Sequence, residues 1–210
     1  MSIKVLIAGT GYTELLYILE GSETTDGDTL KVEGFIDDNS KNLERNLCGR
    51  TIVGGFADAN RFEGYRIINS IARTTDLRKE TSMKLKELGW QFTNAIHKTA
   101  WVNNTSVGEG SFVGPFCVLE ANSKVGNHCC IMAQSVIAHD SRVGDFAFVG
   151  HGAKIQGNVL IKEQVFIGAN AVVYPDTVVN EKATIGVGAN VLLNLAANST
   201  LTAPLSKKIK

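Results

Sequence analysis

The sequence predicts a small α/β domain followed by a parallel β-helix, and three observations carry that prediction. From Val107 to Val191 every sixth residue is Val, Ile or Leu, through fifteen consecutive positions. Four places after each of the first fourteen stands a small or β-branched residue, from Ser111, Cys117 and Ser123 to Ala171, Thr177 and Ala189, and Gly is the commonest residue directly after the aliphatic. Ahead of the repeat, short apolar runs alternate with helical stretches. A period of six fits neither a helix nor an isolated strand, but it suits short parallel strands joined by tight corners. The aliphatics must point inward, because a three-sided coil has axial room for one branched side chain per side beside a small one. Fifteen hexapeptides make five coils of eighteen residues. The coils rise by about 4.8 Å each, so residues eighteen apart stack.

The amino-terminal elements follow in order. Ile3 to Ala8 is an apolar run with the look of a buried strand; it ends in Gly9-Thr10-Gly11, before a helical stretch from Tyr12 to Leu19. A second strand, Val32 to Ile36, ends in Asp37-Asp38-Asn39. A third surrounds Thr51 to Val53, and a fourth, Tyr65 to Ala72, precedes a charged helix from Thr75 to Leu88 that Gly89 stops. The alternation describes a Rossmann-like βαβ domain. The domains are therefore expected at residues 1–92 and 93–193, with a tail at 194–210 that no longer fits the repeat.

Composition removes other classes. A 210-residue chain that is 44% hydrophobic can bury a sizeable core, and its formal net charge of zero offers no broad basic surface to nucleic acid. The start, MSIKVLIAG, lacks the h-region and cleavage site of a signal peptide, and no apolar run is long enough for membrane insertion. Cys48, Cys117, Cys129 and Cys130 lack metal-ligand spacing and read as reduced packing residues, so a cytoplasmic location is expected.

In an open parallel sheet ligands bind beyond the carboxyl ends of the strands, where Gly9-Thr10-Gly11 and Asp37-Asp38 both fall. The backbone at Gly9 and Gly11 could approach a phosphate, and Asp37 and Asp38 could accept hydrogen bonds from a base or ribose. Glu14 stands where a full dinucleotide fingerprint has its third glycine, so an ordinary turn and acidic loop are the competing account.

Taken together, this α/β domain, the Ile96-His97-x-Thr99-Ala100 opening of the repeat, and a His139-Asp140 pair followed by VGDF resemble the hexapeptide-repeat sugar acyltransferases, the bacillosamine and perosamine acetyltransferases and their sialic acid O-acetyltransferase-like relatives. Residues 137–161 carry the most specific part of the likeness; Arg78 in DLRKE and the GFIDD segment at 34–38 match as well. The resemblance implies that the β-helix is left-handed, against the usual crossover preference. It implies acetyl-CoA, or another acyl-CoA, as co-substrate, a nucleotide-linked amino sugar as acceptor, and a homotrimer with the acyl-CoA between subunits. It makes His139 and Asp140 the catalytic pair and sets the thioester carbonyl on the amide of Gly157. Cofactor contacts are expected at Gly157, Phe148, His151, Ile155 and Lys162, with Lys154 and the tail lysines as further phosphate candidates. Thr13 stands where the family has a sugar-holding histidine, Phe148 where it has an acyl-CoA-touching histidine, and His151 where it has a proline.

The residues themselves say why such chemistry would suit. Acyl transfer to an amine needs a base for the proton and a donor for the oxyanion. His139 sits at a corner of the coil and titrates near working pH, and Asp140 could hold its tautomer if the corner bends, because neighbours on extended backbone point apart. Gly157 lies one coil on, its amide unobstructed. Asn122, Asp140 and Asn158 form the adjoining column, so the two asparagines either orient Asp140 and a substrate group or brace the corner. His97 either lines the substrate cleft or caps the prism. His128, His139 and His151 are spaced by eleven and twelve residues, which argues against zinc. The expected function is therefore N-acylation of a nucleotide-linked amino sugar, with sugar O-acetylation or a non-catalytic nucleotide-sugar-binding role as alternatives.

Overall fold

The computed structural model describes residues 1–42, 47–71 and 74–204. The expected strand from Ile3 to Ala8 is β1 (Ser2–Ala8), and its second half, Val5 to Ala8, is wholly buried. The first helix, α1 (Leu15–Glu20), starts three residues later than the pattern suggests, because Glu14 supplies no side-chain cap and Tyr12 to Glu14 remain in a turn. A short β2 (Ser22–Glu23) follows, then β3 (Thr29–Ile36), β4 (Ile52–Gly54), β5 (Arg66–Asn69), α2 (Thr75–Glu87) and β6 (Ala95–His97). Strand β1 lies between β3 and β5, all parallel, while β2 runs antiparallel to both β3 and β6. Helix α2 is capped by Thr74, whose hydroxyl accepts the Leu77 amide.

Beyond β6 the chain is a left-handed parallel β-helix with three walls. The first wall stacks Phe112–Val113, Cys130–Ile131, Phe148–Val149, Phe166–Ile167 and Thr184–Ile185; the second runs from Trp101–Val102 to Asn190–Val191; the third runs from Ser106–Val107 to Val178–Val179. The fifteen repeat aliphatics fill the bore at 0–7% exposure, with Cys117, Cys129 and Ala147 among their small partners. The corners follow one rule: from Gly110 to Gly188, the third residue after every inward aliphatic has φ between +55° and +68°. Glycine, asparagine and aspartate recur there because they adopt the left-handed region with least strain. The column also extends past residue 193. Leu195 bridges to Val179 and Thr200–Leu201 pairs with Thr184–Ile185, so the start of the expected tail winds another partial coil.

The two parts share one sheet and one core. The first wall continues through β6 into β2, β3, β1 and β5. Its outer side chains, Phe112 and Cys130, are buried with Leu15, Leu16, Leu19 and Phe35, so packing crosses residues 92–93 without interruption. Arg78 on α2 pins the junction. It is 1% exposed and donates to the carbonyls of His128 and Asn69, both at 2.6 Å, and to Gly110 at 3.2 Å. Helix α2 thus lies along the edge between the third and first walls, where Thr75 also bonds the Gln164 carbonyl and Lys79 pairs with Glu163.

Candidate active site

The edge between the second and third walls carries the His139-Asp140 pair. Asp140 has φ +60°, and this left-handed turn folds its side chain back beside its neighbour, which an extended strand would not allow. His139 Nδ1 is 2.9 Å from Asp140 Oδ2. Asp140 Oδ1 accepts from Asn122 at 3.2 Å, and Asn122 in turn accepts from Asn104 at 3.0 Å, so a ladder up the edge holds the carboxylate. An ionised carboxylate only accepts, so Nδ1 carries the proton and the Nε2 lone pair is free. The bond to Asp140, with the negative charges of Asp140 and Glu120, raises the His139 pKa; the bond to His139 lowers that of Asp140.

The imidazole, with its side chain 62% exposed, extends along the edge over Gly157. A Cβ built on Gly157 would fall 2.6 Å from His139 Nε2 and 2.7 Å from Cε1. The Gly157 amide donates to no acceptor among the described residues, while its carbonyl accepts from Asp176. One coil below, the equivalent amide of His139 does have a partner, Glu120 Oε2 at 3.0 Å. Amides of this column therefore point where an oxygen can sit, and at Gly157 that place is open. Glu120 escaped the sequence reading, although its number, nineteen before His139, sets it one coil down at the same edge.

The other expected site residues are dispersed. Asn158 donates to Asp176 at 2.7 Å and so braces the next corner rather than orienting Asp140. Ile155 points into the bore at 0% exposure, which excludes its side chain from any cofactor contact. Phe148 stacks on Phe166 at 4.9 Å and packs against the amino-terminal core, so it faces that domain instead of a cleft. His151 is exposed at the edge between the first and second walls, and Lys162, past the third wall, pairs with Glu181 at 3.1 Å. None of these three adjoins the His139 edge within one chain. Lys207, Lys208 and Lys210 lie outside the described residues.

In the amino-terminal domain the glycine turn does meet the end of β3, where the Gly9 amide donates to the Ile36 carbonyl at 2.8 Å. Thr10 Oγ1 donates to Asp37 Oδ2 at 2.8 Å, and Gly11 faces open space. Both carboxylates are already engaged: Asp37 also accepts from Asn39 and Asn42, and Asp38 accepts the Phe56 amide and pairs with Lys84. Thr13 is half-buried and its carbonyl accepts the Leu16 amide at the start of α1. His97 pairs with Ser22 at the entry to the prism and lines a small cavity with Thr24 and Thr105. Its Nδ1 accepts the Thr99 amide and its ring covers Gly21, where burial and then Lys98 lower its pKa. Tyr12, next to the glycine turn, packs with the core behind the first wall, so this crevice and the His139 edge lie on opposite sides of the prism. Among the described residues no three His, Cys, Asp or Glu side chains gather as metal ligands, and no helix is long and apolar enough to cross a membrane.

Comparison with known proteins accords with this geometry. The profile of the bacterial transferase hexapeptide (six repeats) matches residues 104–139 and 122–157, the stretch that holds both His139 and Gly157. The hexapeptide column and its α/β domain together superpose on perosamine N-acetyltransferase from Caulobacter crescentus, a histidine-to-asparagine mutant in complex with CoA and GDP-perosamine, with a TM-score of 0.84 and 24% identity over 95% of this chain and 93% of that one. The acetyltransferase domain of PglB from Neisseria gonorrhoeae FA1090, in complex with acetyl coenzyme A, gives 0.83 and 22% over 97% of each chain. WeeI from Acinetobacter baumannii AYE gives 0.80 and 24%, again over 97% of each. At these identities the likeness is one of fold. No curated protein matches the sequence.

Proposed function

We propose that the chain is an acyl-CoA-dependent N-acyltransferase, which moves an acetyl group to the amine of a nucleotide-linked amino sugar used in surface glycan biosynthesis. The observation that carries this reading is the imidazole of His139, held by Asp140, over the open amide of Gly157. The thioester carbonyl accepts from the Gly157 amide; the amine attacks; the developing oxyanion is held by that same donor. His139 Nε2 takes the amine proton as the C–N bond forms and returns it to the thiolate as the C–S bond breaks. The similar structures solved with CoA, acetyl coenzyme A or GDP-perosamine support the choice of co-substrates.

The assembly belongs to the same proposal. The glycine turn and the His139 edge lie on opposite sides of one prism, so a second copy must bring the crevice to the imidazole. The outer second wall offers a surface for it, with Trp101 54% exposed and Val118, Val136 and Val172 half-buried beside it. A homotrimer in the cytoplasm completes the reading.

The test is release of free CoA from acetyl-CoA with a panel of nucleotide-linked amino sugars, set against the corresponding hydroxy sugars. Turnover with amines that His139→Ala abolishes is the expected result. Acylation of hydroxyls alone, or turnover unchanged in His139→Ala, would overturn it. Sedimentation of a monomer would remove the shared site.

A further inference from the structure

The groove beside the His139-Asp140 pair holds two cations without a protein counter-charge. Lys124 and Arg142 are register partners on adjacent rungs of the third wall, and both side chains are exposed. They line one groove together with Asn104, Asn122, Asp140 and Asn158. Cationic heads one rung apart, about 4.8 Å at the backbone, repel each other across a ladder and destabilise it unless an anion lies between them. Other lysines of the column are neutralised: Lys98 by Glu23, Lys162 by Glu181 and Lys182 by Asp76. Lys124 and Arg142 have no ion-pair partner among the described residues, and the nearby carboxylate of Asp140 is already committed to His139 and Asn122. Lys154, the remaining unpaired cation of the column, stands on the second wall and does not line this groove.

We propose that Lys124 and Arg142 form a diphosphate clamp that anchors a co-substrate with its reactive end at His139. This inference rests on the reading of the chain as an acyltransferase only for the identity of the ligand. An acyl-CoA and a nucleotide sugar both carry a diphosphate, and the clamp recognises that shared group. Arg142 suits it through its planar fork of donors and Lys124 as a point charge one rung below.

Two measurements test the clamp. The first is calorimetric binding of inorganic pyrophosphate at low salt to the wild type and to Lys124→Gln, Arg142→Gln and the double variant, with sedimentation of each. Affinity should fall about tenfold per charge removed and weaken in the wild type as salt rises, because each lost charge-assisted hydrogen bond carries roughly that factor. Arg142→Lys should recover part of it. The second assigns the source. A rise of about tenfold in KM for acetyl-CoA, with no change for an acetyl thioester of N-acetylcysteamine, places the CoA diphosphate in the clamp; a rise confined to the nucleotide sugar places that diphosphate there. Undiminished pyrophosphate binding in the double variant overturns the proposal. So does dissociation of the oligomer, which would make the two cations interface residues. A wild type that binds pyrophosphate through these residues yet turns over no acyl-CoA would sink the acyltransferase reading and leave the clamp standing.

Discussion

The ring of His139 lies over Gly157, one coil farther along the same edge, with Nε2 2.6 Å from where a Cβ at 157 would stand. Only a residue without a Cβ leaves the imidazole and the open amide on one line. Gly157 has a φ that any residue adopts, so Gly157→Ala should fold with its melting temperature almost unchanged. Because the new methyl displaces the imidazole by an ångström or so, kcat/KM should drop on the order of 10²-fold. Thermal melts and steady-state kinetics on one preparation check both halves of this expectation.

The pairing with Asp140 predicts a pH dependence. The bond and the negative charges of Asp140 and Glu120 raise the His139 pKa above the usual histidine value. The base works only when neutral, so kcat/KM should fall as pH drops through that raised value. Asp140→Asn removes the first-named cause. Its acid limb should shift to lower pH while the plateau falls by roughly 10² or more, because the tautomer is no longer held. A limb that stays in place would mean that another group titrates.

His128 predicts acid sensitivity of the fold. It is 4% exposed, lies between Phe92 and Phe146, and its Nδ1 has no hydrogen-bond partner. Burial, then the charge of Arg78, lower its pKa to about 4, with Lys86 adding to the lowering and Glu109 and Asp145 opposing it. The unfolded chain binds this proton near the ordinary value of about 6.5 and the native state only near 4. Stability present above pH 6.5 is therefore lost as pH falls toward 4, by about 3 kcal/mol. His128→Phe should flatten that part of the pH–stability curve. Phe116 and Phe146 already occupy the same left-handed corner position, so the replacement is tolerated. Urea titrations between pH 4 and 7 measure the slope.

Ile155 separates packing from binding. Its side chain sits in the bore, so Ile155→Ala should destabilise the chain by about 2–5 kcal/mol through the cavity it leaves. Below the melting range, the KM for acetyl-CoA should not move. A KM that rises with the native fold intact would return this position to the cofactor site.

Much of this was legible in the sequence. The six-residue period identified the fifteen inward aliphatics from Val107 to Val191, because the bore has room for one branched side chain per wall beside a small one, and it located the His139 corner. The bend that brings Asp140 back to His139 was written in the same repeat, as glycine, asparagine and aspartate recurring three places after the aliphatic. Phe116, Phe146 and Lys182 at equivalent corners blur that signal. The last partial coil was hidden by a slip: Val191 to Leu195 is four residues, after which Leu195 to Leu201 resumes six. Strand β2 has only two residues and therefore no periodicity, although it joins the two halves. The engagement of Asp38 with Lys84 depends on how α2 packs, which no local pattern records.

The continuity of the first wall with the amino-terminal sheet has a kinetic meaning. Strand pairing through β2 and β6 and the buried guanidinium of Arg78 leave no seam about which one half could swing against the other. Any ligand that reaches the His139 edge therefore meets walls already in place, with no clamshell closure of one half onto the other.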